Sequence, residues 1–414
     1  MLAPTTSLVE ALNRFDPLHP LQSEEELRDF YIARAHSPLE PLISYLRVMQ
    51  KPVKLLFMGH RGSGKSTELA KLASRMHHQF FVVHFYAGEI LNLNDVEPVD
   101  VVLGCAFALL SAVAEEQIIV KDARLRDLEE WLRNEVLTEQ VIVRKSEQGV
   151  AFGTSLKGFV TELSAKFNRE STTRKTIRPR LKTMVSELVE RINAVIDYTR
   201  KHLRPPLVLI EDLDKTGLDE ARKIFFEEGQ LLRLLDCHVV YTFPIALRYS
   251  NDYAQIKHNF QVDFKLPNIK IYNKDGTRDE VGRASLQQLA LKRADTTLFG
   301  PGALERAVEC SGGLVADLVR LLQGATLRAM VAAKAQITPE MVDEVAAEIR
   351  SDFRAMLRAD HYQALRDAAA RHEVINATAV QDALHNLSLL EYRNAEDWCD
   401  VHPIVKPLLN STSV

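Results

Sequence analysis

The sequence has 414 residues, of which 46% are apolar and 26% are charged, and its formal net charge is −4. This length suffices for two or three globular domains, and the composition excludes a globally disordered chain. Four cysteines without a CxxC pair argue against a disulfide framework or a zinc site and favour a cytoplasmic location. The N-terminus lacks a signal-peptide pattern, and the apolar run Val101 to Ala114 is shorter than the roughly 20 residues of a membrane span, so we expect a buried core helix there.

Helices and short apolar strands alternate through the first half of the chain. The first 50 residues read as helical, and the segments that follow are a strand at 53–59, a helix at 66–78, a strand at 80–88, a helix at 99–116, a helix at 181–202 and strands at 205–212 and 237–243. Residues 117–182 interrupt this rhythm, and glycines near 149 and 153 favour a hairpin there. Beyond 265 the pattern is helical, with helix starts near Asp279, Gly302 and Thr338, and two short helices and a hairpin follow residue 355.

Strands that alternate with helices predict a parallel sheet covered on both faces. We therefore expect an α/β P-loop NTPase fold, followed by an α-helical lid and a small winged-helix-like domain. The expected domains are 1–264, with a basic insertion at about 117–182, then 265–354, and finally 355–414.

The segment between the first strand and the following helix fits G-x-x-x-x-G-K-[ST] at every fixed position. Glycines let the backbone curl so that amide hydrogens point inward, and the helix N-terminus adds positive potential. Lys65 is expected to reach the β- and γ-phosphates of ATP, and the Ser66 hydroxyl to bind Mg²⁺. The predicted nucleotide-binding residues of this loop are Gly59, Arg61, Gly62, Ser63, Gly64, Lys65, Ser66 and Thr67.

An acidic pair, Glu211 and Asp212, ends the third strand. One carboxylate is expected to hold the Mg²⁺ and the other to orient and deprotonate the attacking water. By register Glu211 is assigned to the metal and Asp212 to the water, although the reverse assignment stays open. Thr242 ends the next strand and is predicted to lie beside the pair and to sense the γ-phosphate through the water. For Asp214, a helix N-cap is at least as good an interpretation as a role in the site.

These motifs together resemble the AAA+ and STAND superfamily of ATPases, in particular initiator-like members of the origin-recognition type. The segment 28–46 resembles their lead-in to the P-loop, which implies that Tyr31 and Ile32 line the adenine pocket. Residues 310–322 resemble their lid motif, but Ala316 stands where that motif has its sensor arginine. Either Arg320 takes over part of that role, or the lid closes without such an arginine. The last 60 residues resemble the winged-helix end of the same group.

The resemblance also implies partners. Such ATPases assemble with copies of themselves and lend an arginine to a neighbouring nucleotide, for which Arg233 and Arg248 are candidates beside surface ion pairing. Residues 141–182 carry ten Lys or Arg against three Glu, which fits nucleic acid, a partner protein or membrane surface, or a solvated face. The second helix of the winged-helix-like end, 377–387, has no Lys or Arg, which argues against reading DNA with it.

The sequence therefore predicts a Mg²⁺-dependent ATPase switch that self-assembles and signals its nucleotide state to a partner or effector protein. The resemblance implies defence against phage or control of mobile elements as settings. A DNA-binding initiator or loader acting on duplex DNA, and a scaffold that binds nucleotide without hydrolysis, are the alternatives. A GTPase is disfavoured because no N-K-x-D element follows the fourth strand.

Overall fold

The computed structural model describes residues 2–116, 122–136, 156–169 and 171–410. Its main sheet has five parallel strands in the spatial order β2-β3-β4-β1-β5. The strands are β1 (Lys54–Gly59), β2 (Phe81–Tyr86), β3 (Pro206–Glu211), β4 (His238–Pro244) and β5 (Val262–Lys265). Four of them lie where the sequence predicts strands. The edge strand β5 was not predicted, because its four residues alternate too briefly to stand out from the segment around them.

Helices cover both faces of this sheet, as the sequence predicts. The helices of this part of the chain are α1 (Leu8–Arg14), α2 (Glu24–Phe30), α3 (Leu39–Val48), α4 (Lys65–Met76), α5 (Ala87–Ile90), α6 (Pro98–Glu115), α7 (Ala123–Val136), α8 (Leu156–Arg169), α9 (Ser171–Thr183), α10 (Val185–His202), α11 (Leu218–Arg222) and α12 (Tyr253–Lys257). Alternate residues of β1 face opposite sides, as the pleat requires. Leu55 and Phe57 pack with α3 and α4, whereas Leu56 and Met58 pack with α6 and α10.

Helix α6 is long and apolar enough to cross a membrane by length and composition, but 78% of that window is buried inside the protein. Its neighbours include α8, α9 and α10, which belong to or follow the predicted insertion. The helix is therefore a core element of this fold, as expected from the sequence. The hairpin predicted around residues 149–153 lies outside the described residues.

The second half of the chain forms a helical lid and a C-terminal module. The lid comprises α13 (Glu280–Leu291), α14 (Ala303–Ser311), α15 (Val315–Val331) and α16 (Pro339–Met356). Three of these helices begin directly after Asp279, Gly302 and Thr338, the predicted starts. The C-terminal module comprises α17 (Ala359–Arg371), α18 (Thr378–His385), the antiparallel strands β6 (Leu389–Arg393) and β7 (Asp397–Val401), and α19 (Lys406–Asn410). One apolar cluster runs through both bodies, so they pack on each other.

Short 3₁₀ and π turns connect some of these elements. They are the 3₁₀ turns Leu213–Lys215, Gly229–Arg233, Ile245–Tyr249 and Thr296–Leu298 and the π turn Lys223–Glu227. The turn Leu213–Lys215 follows β3 directly, and Ile245–Tyr249 follows β4. Both lie at the carboxyl edge of the sheet, where parallel α/β folds bind ligands.

Candidate functional site

The P-loop connects β1 to α4 through a tight backbone curl. Gly62 and Gly64 have φ values of +75° and +95°, in the left-handed region that other residues rarely adopt. The space around them is also closed. A Cβ atom on Gly62 would lie 2.7 Å from the Cβ of Ala316, and one on Gly64 would lie 2.6 Å from Nη2 of Arg34. Conformation and packing thus both favour glycine at positions 62 and 64 of this loop.

Lys65 is buried at the base of this loop. Its ammonium group donates to the carbonyl oxygens of Gly59 and His60, at 2.9 and 2.8 Å, and lies 2.8 Å from Oδ2 of Asp214. Burial disfavours the ionised form of Asp214, but the charge and the hydrogen bond of Lys65 prevail and hold the pKa of that carboxyl below its ordinary value. Asp214 lies inside the 3₁₀ turn Leu213–Lys215, whose N-cap is Asp212, and the next helix has Gly217 as its N-cap. Asp214 therefore caps neither element and belongs to the site through Lys65.

The acidic pair lies at the carboxyl end of β3. In the sheet, β4 separates β3 from β1, the strand that leads into the P-loop. Glu211 is buried and its Oε1 lies 2.6 Å from Nε2 of His84 on β2. Asp212 has a left-handed backbone, with φ +70°, and its Oδ1 lies 2.7 Å from the Lys215 ammonium. Because consecutive residues at a strand end point in different directions, the two carboxylates have different neighbours. This is what distinct roles for the pair require.

Thr242 lies beside the acidic pair, in the place predicted from the sequence. It is buried on β4, and its hydroxyl oxygen accepts a hydrogen bond of 3.1 Å from the backbone amide of Leu213. Phe57 of β1 is its register partner on the other side. Thr242 therefore fixes the turn that carries Asp214.

A cavity of about 410 Å³ opens next to the P-loop, which is within the usual size range of small-molecule sites. Tyr31 and Ile32, the predicted base-pocket residues, line it together with the P-loop residues Arg61, Gly62, Gly64, Lys65, Ser66 and Thr67. The Tyr31 hydroxyl donates to Glu68 on α4, at 3.2 Å, and the Lys71 ammonium lies 3.4 Å from the centre of its ring. Tyr31 is thus held at the mouth of the same cavity that contains the phosphate loop.

The lid closes one side of this cavity through α15. The backbone amide of Ala316 donates to the carbonyl of Gly62, at 3.0 Å, so the residue at the sensor-arginine position packs directly on the P-loop. Arg320 also lines the cavity, but its Nη1 lies 2.6 Å from Oδ1 of Asp317, and its side chain is 45% exposed. The structure therefore brings Arg320 to the site, where an ion pair within the lid engages it.

The C-terminal module reaches the phosphate loop itself. The Nε2 atom of His60 accepts a hydrogen bond of 2.7 Å from the backbone amide of Glu391 in β6. Arg61 lies 2.9 Å from Nε2 of His385 at the end of α18, and Leu387 lines the nucleotide cavity. Neither contact was predicted, because both join residues more than 300 positions apart in the sequence.

Arg34 also belongs to this site, although the sequence analysis assigns it no role there. It comes from the lead-in segment, donates to the carbonyl of Ser63 and lines the nucleotide cavity. Burial lowers its pKa. The signal that pointed to it was its place at the end of the lead-in motif.

The structure describes the surroundings of the proposed arginine contributors and of two arginines of the basic insertion. Arg248 forms ion pairs within the chain, 3.5 Å from Asp263 and 3.4 Å from Asp397, whereas Arg233 is exposed. Arg174 and Arg178 of the insertion are buried against acids near the start of α6. These two arginines are therefore structural. Residues 144 and 145 of the insertion lie outside the described residues.

The donor set fits magnesium as an oxygen-ligated ion. Hydroxyl and carboxylate oxygens are the ligands that Mg²⁺ prefers, usually from one or two side chains together with phosphate and water. Among the described residues no group of three or more His, Cys, Asp or Glu side chains has the geometry to hold a metal ion alone. Ser66 and Glu211, which the sequence predicts as the magnesium ligands, both carry oxygens of this kind.

No protein-family model matches this sequence, and no curated protein matches it. Among solved structures, the chain is similar to the ORC2 protein of Aeropyrum pernix in its ADPNP–ADP complexes, with 11% identity, a TM-score of 0.45 and coverage of 96% of this chain and 98% of that one. The Walker-type ATPase PABY2304 of Pyrococcus abyssi matches with 12% identity, a TM-score of 0.46 and coverage of 96% and 99%. The RuvB Holliday-junction branch-migration motor of Thermotoga maritima matches with 11% identity, a TM-score of 0.41 and coverage of 96% and 100%. The P-loop between β1 and α4, the five-stranded parallel sheet and the helical lid give the chain the α/β P-loop NTPase fold that the sequence predicts.

Proposed function

We propose that the protein is a Mg²⁺-dependent ATPase that works as a molecular switch. The observation that carries this proposal is the buried ammonium of Lys65, which lies among P-loop carbonyls at the base of a cavity of about 410 Å³. An ammonium group there is placed to exchange its carbonyl contacts for phosphate oxygens. Tyr31 and Ile32 at the same cavity are the residues that would contact the base.

The acids and hydroxyls at the strand ends supply the remaining groups. In this proposal Ser66 and Glu211 hold the Mg²⁺, which neutralises charge on the β- and γ-phosphates when it is bound. Asp212 orients the attacking water and takes its proton, and Thr242 keeps the adjoining turn in place. The reversed assignment of the two acids gives the same chemistry with exchanged partners. Arg320 is the lid residue that would reach the phosphates, after leaving Asp317.

In this proposal, the C-terminal module is the part of the chain that responds directly to the nucleotide bound at the P-loop. Phosphate binding reorganises the P-loop backbone around Lys65, and His60 and Arg61 of that loop contact β6 and α18. A change at the phosphates is thereby passed to the module through two direct contacts. We propose that release of the module exposes the surface with which the protein assembles with its own copies and signals to a partner protein. A setting in phage defence or mobile-element control rests on the sequence resemblance alone.

The central test is ATP binding and turnover by variants of the phosphate site. Lys65→Ala is expected to abolish measurable binding of ATP with Mg²⁺ in calorimetry, while Lys51→Ala, an exposed lysine before β1, binds normally. Glu211→Gln and Asp212→Asn are each expected to lower turnover at least 100-fold and to leave nucleotide binding in place, with exposed Glu227→Gln as control. Unchanged binding in Lys65→Ala would refute the phosphate site. Unchanged turnover in both acidic variants would refute the catalytic assignment of the pair, whereas ATP binding without turnover in the parent would leave a nucleotide-gated scaffold as the function.

A DNA-dependent loader is the competing function, and variants of the basic insertion distinguish it from the proposed switch. Arg174 and Arg178 are unsuitable for this test because they are buried in ion pairs. Lys175 and Arg180 are exposed, so the double variant Lys175→Ala, Arg180→Ala removes basic charge without opening the core. A switch that ignores DNA shows the same ATPase rate with and without duplex DNA, in both proteins. DNA-stimulated turnover that the double variant loses would instead establish the loader.

A further inference from the structure

A second cleft, of about 520 Å³, lies between the lid and the C-terminal module. Its walls include Arg306, Cys310 and Arg350 from the lid and Trp398, Asp400 and Lys406 from the module. It shares no lining residue with the nucleotide cavity. Its volume lies within the range of small-molecule sites, and it bridges two bodies of the chain, where such sites often occur.

One cationic side chain of this cleft, Arg350, has no ion-pair partner among the described residues. Lys406 lies 2.6 Å from Asp400, and Arg306 lies 2.7 Å from Asp343 and 3.7 Å from Glu309. The Nε of Arg350 donates to the carbonyl of Ile404, at 3.0 Å, which fixes the direction of the guanidinium. No carboxylate of the described residues lies within ion-pair distance of that guanidinium, although the side chain is half-buried. Its two terminal nitrogens therefore remain available to an anion, which a guanidinium binds in a bidentate manner.

Trp398 lines the same cleft. Its side chain is 3% exposed, and its buried Nε1–H has no hydrogen-bond acceptor among the described residues. The ring packs on Tyr392, with ring centres 4.8 Å apart, and the Tyr392 hydroxyl donates to the carbonyl of Gly312, at 2.6 Å. The indole is therefore held in place. A buried donor without an acceptor is rare in folded proteins.

We propose that this cleft binds a small anion, which presents a carboxylate or phosphate to Arg350 and lies beside Trp398. Because one wall belongs to the lid and the other to the C-terminal module, the bound anion holds the two together. In the switch proposed above, such a ligand favours the docked module and slows its release. That regulatory consequence rests on the proposed function, whereas the binding site itself does not.

Binding is measured through the indole of Trp398 in the full chain. The sequence contains two tryptophans, at 131 and 398, so Trp131→Phe leaves Trp398 as the sole reporter. Citrate and pyrophosphate serve as the carboxylate and phosphate probes, each titrated without nucleotide. At least one probe is expected to change the Trp398 fluorescence in a saturable manner. No saturable change with either probe would overturn the proposal.

Variants of α16 identify the cation that binds the probe. Arg350→Gln keeps a hydrogen-bond donor for Ile404 and removes the charge, so it is expected to weaken binding at least tenfold. Arg354→Gln is the matched control, because Arg354 lies one turn further along the same helix, is exposed and does not line the cleft. Equal affinity in Arg350→Gln and the parent, with both folded by circular dichroism, would overturn the site. A signal that Lys65→Ala abolishes and Arg350→Gln retains would assign the probe to the P-loop and would equally overturn it.

Discussion

At the scale of single residues, Lys65 and Asp214 form a buried ion pair in the candidate nucleotide site. Both side chains are nearly buried, with exposed fractions of 6% and 5%, and their charged atoms lie 2.8 Å apart. Removing one member of such a pair leaves an uncompensated buried charge, which costs about 3–5 kcal/mol. Lys65→Met is therefore expected to lower the free energy of unfolding by about that amount in the absence of nucleotide. The double variant Lys65→Met, Asp214→Asn is expected to recover most of it.

Urea unfolding of the parent, both single variants and the double variant measures this coupling. An additive result, in which the double variant loses the sum of the two single losses, would contradict a direct interaction.

The same pair makes the stability of the folded protein depend on pH in the acid range. Because the pKa of Asp214 is lowered in the folded protein, its contribution to stability is present above its ordinary pKa of 3.8 and is lost as the pH falls through the lower folded value.

A second residue-scale prediction concerns His60. Burial, with the neighbouring charge of Lys65, lowers the pKa of His60 to about 3, so the folded protein holds this ring neutral while the unfolded chain protonates it below about 6.5. Stability is therefore full above pH 6.5 and falls as the pH drops towards 3, by at most about 1.4 kcal/mol per pH unit. His60→Gln is expected to flatten the decline between pH 6.5 and 5 in urea unfolding. The exposed His258→Gln is the control, and equal slopes in both variants would contradict the assignment.

The sequence predicts the local chemistry of the site and misses its long-range contacts. Lys65 and Ser66 follow from a motif whose positions are neighbours in the chain, and Glu211 and Asp212 follow from the end of an apolar strand. The partners of these residues do not follow, because His84 meets Glu211 across 127 positions and His60 meets Glu391 across 331. Such contacts depend on the sheet order and on module docking, which no local pattern encodes.

At the scale of elements, ion pairs attach α9 of the basic insertion to Asp100 of α6 and to Asp95 just before that helix. Arg178 lies 2.6 Å from Oδ2 of Asp100 and 2.7 Å from Oδ1 of Asp95, and Arg174 lies 3.1 Å from Asp95. Composition alone made this segment a candidate phosphate-binding surface. It gave no sign of these pairs, because the acids precede the arginines by about 80 residues. Part of the basic charge thus attaches α9 to the core.

Breaking this anchor is expected to destabilise the protein. Arg178→Ala leaves the buried Asp100 without its main partner, and we expect a loss of about 3–5 kcal/mol in the free energy of unfolding. The control is Lys175→Ala on the same helix, an exposed site where a change within about 0.5 kcal/mol is expected. Urea unfolding followed by far-UV circular dichroism checks both. Equal stability of the two variants would show that the ion pairs do not anchor α9.

At the scale of the whole molecule, Glu391 joins the sheet, the P-loop and the C-terminal module. Its carboxylate forms an ion pair with Lys265, at the end of β5, and accepts a hydrogen bond from the Tyr249 hydroxyl. Its backbone amide donates to His60. Lys265 also lies 2.5 Å from Asp397 on β7, so both strands of the hairpin meet this one buried ammonium. The arrangement explains how a hairpin near the end of the chain is held against the nucleotide site.

Glu391→Gln is expected to loosen this docking without altering the phosphate loop. Loss of one buried charge leaves Lys265 with Asp397 as its acidic partner among the described residues. The backbone amides of β6 and β7 are therefore expected to exchange hydrogen at least tenfold faster, whereas those of β1 and β3 keep their exchange rates. Exposed Glu396→Gln, in the turn of the same hairpin, is the matched control. In the proposed switch the looser variant also self-associates with a slowly hydrolysed ATP analogue at a lower protein concentration than the parent. Unchanged hydrogen exchange in β6 and β7 would mean that apolar packing alone holds the C-terminal module. The contact of His60 with Glu391 would then not control release of the module.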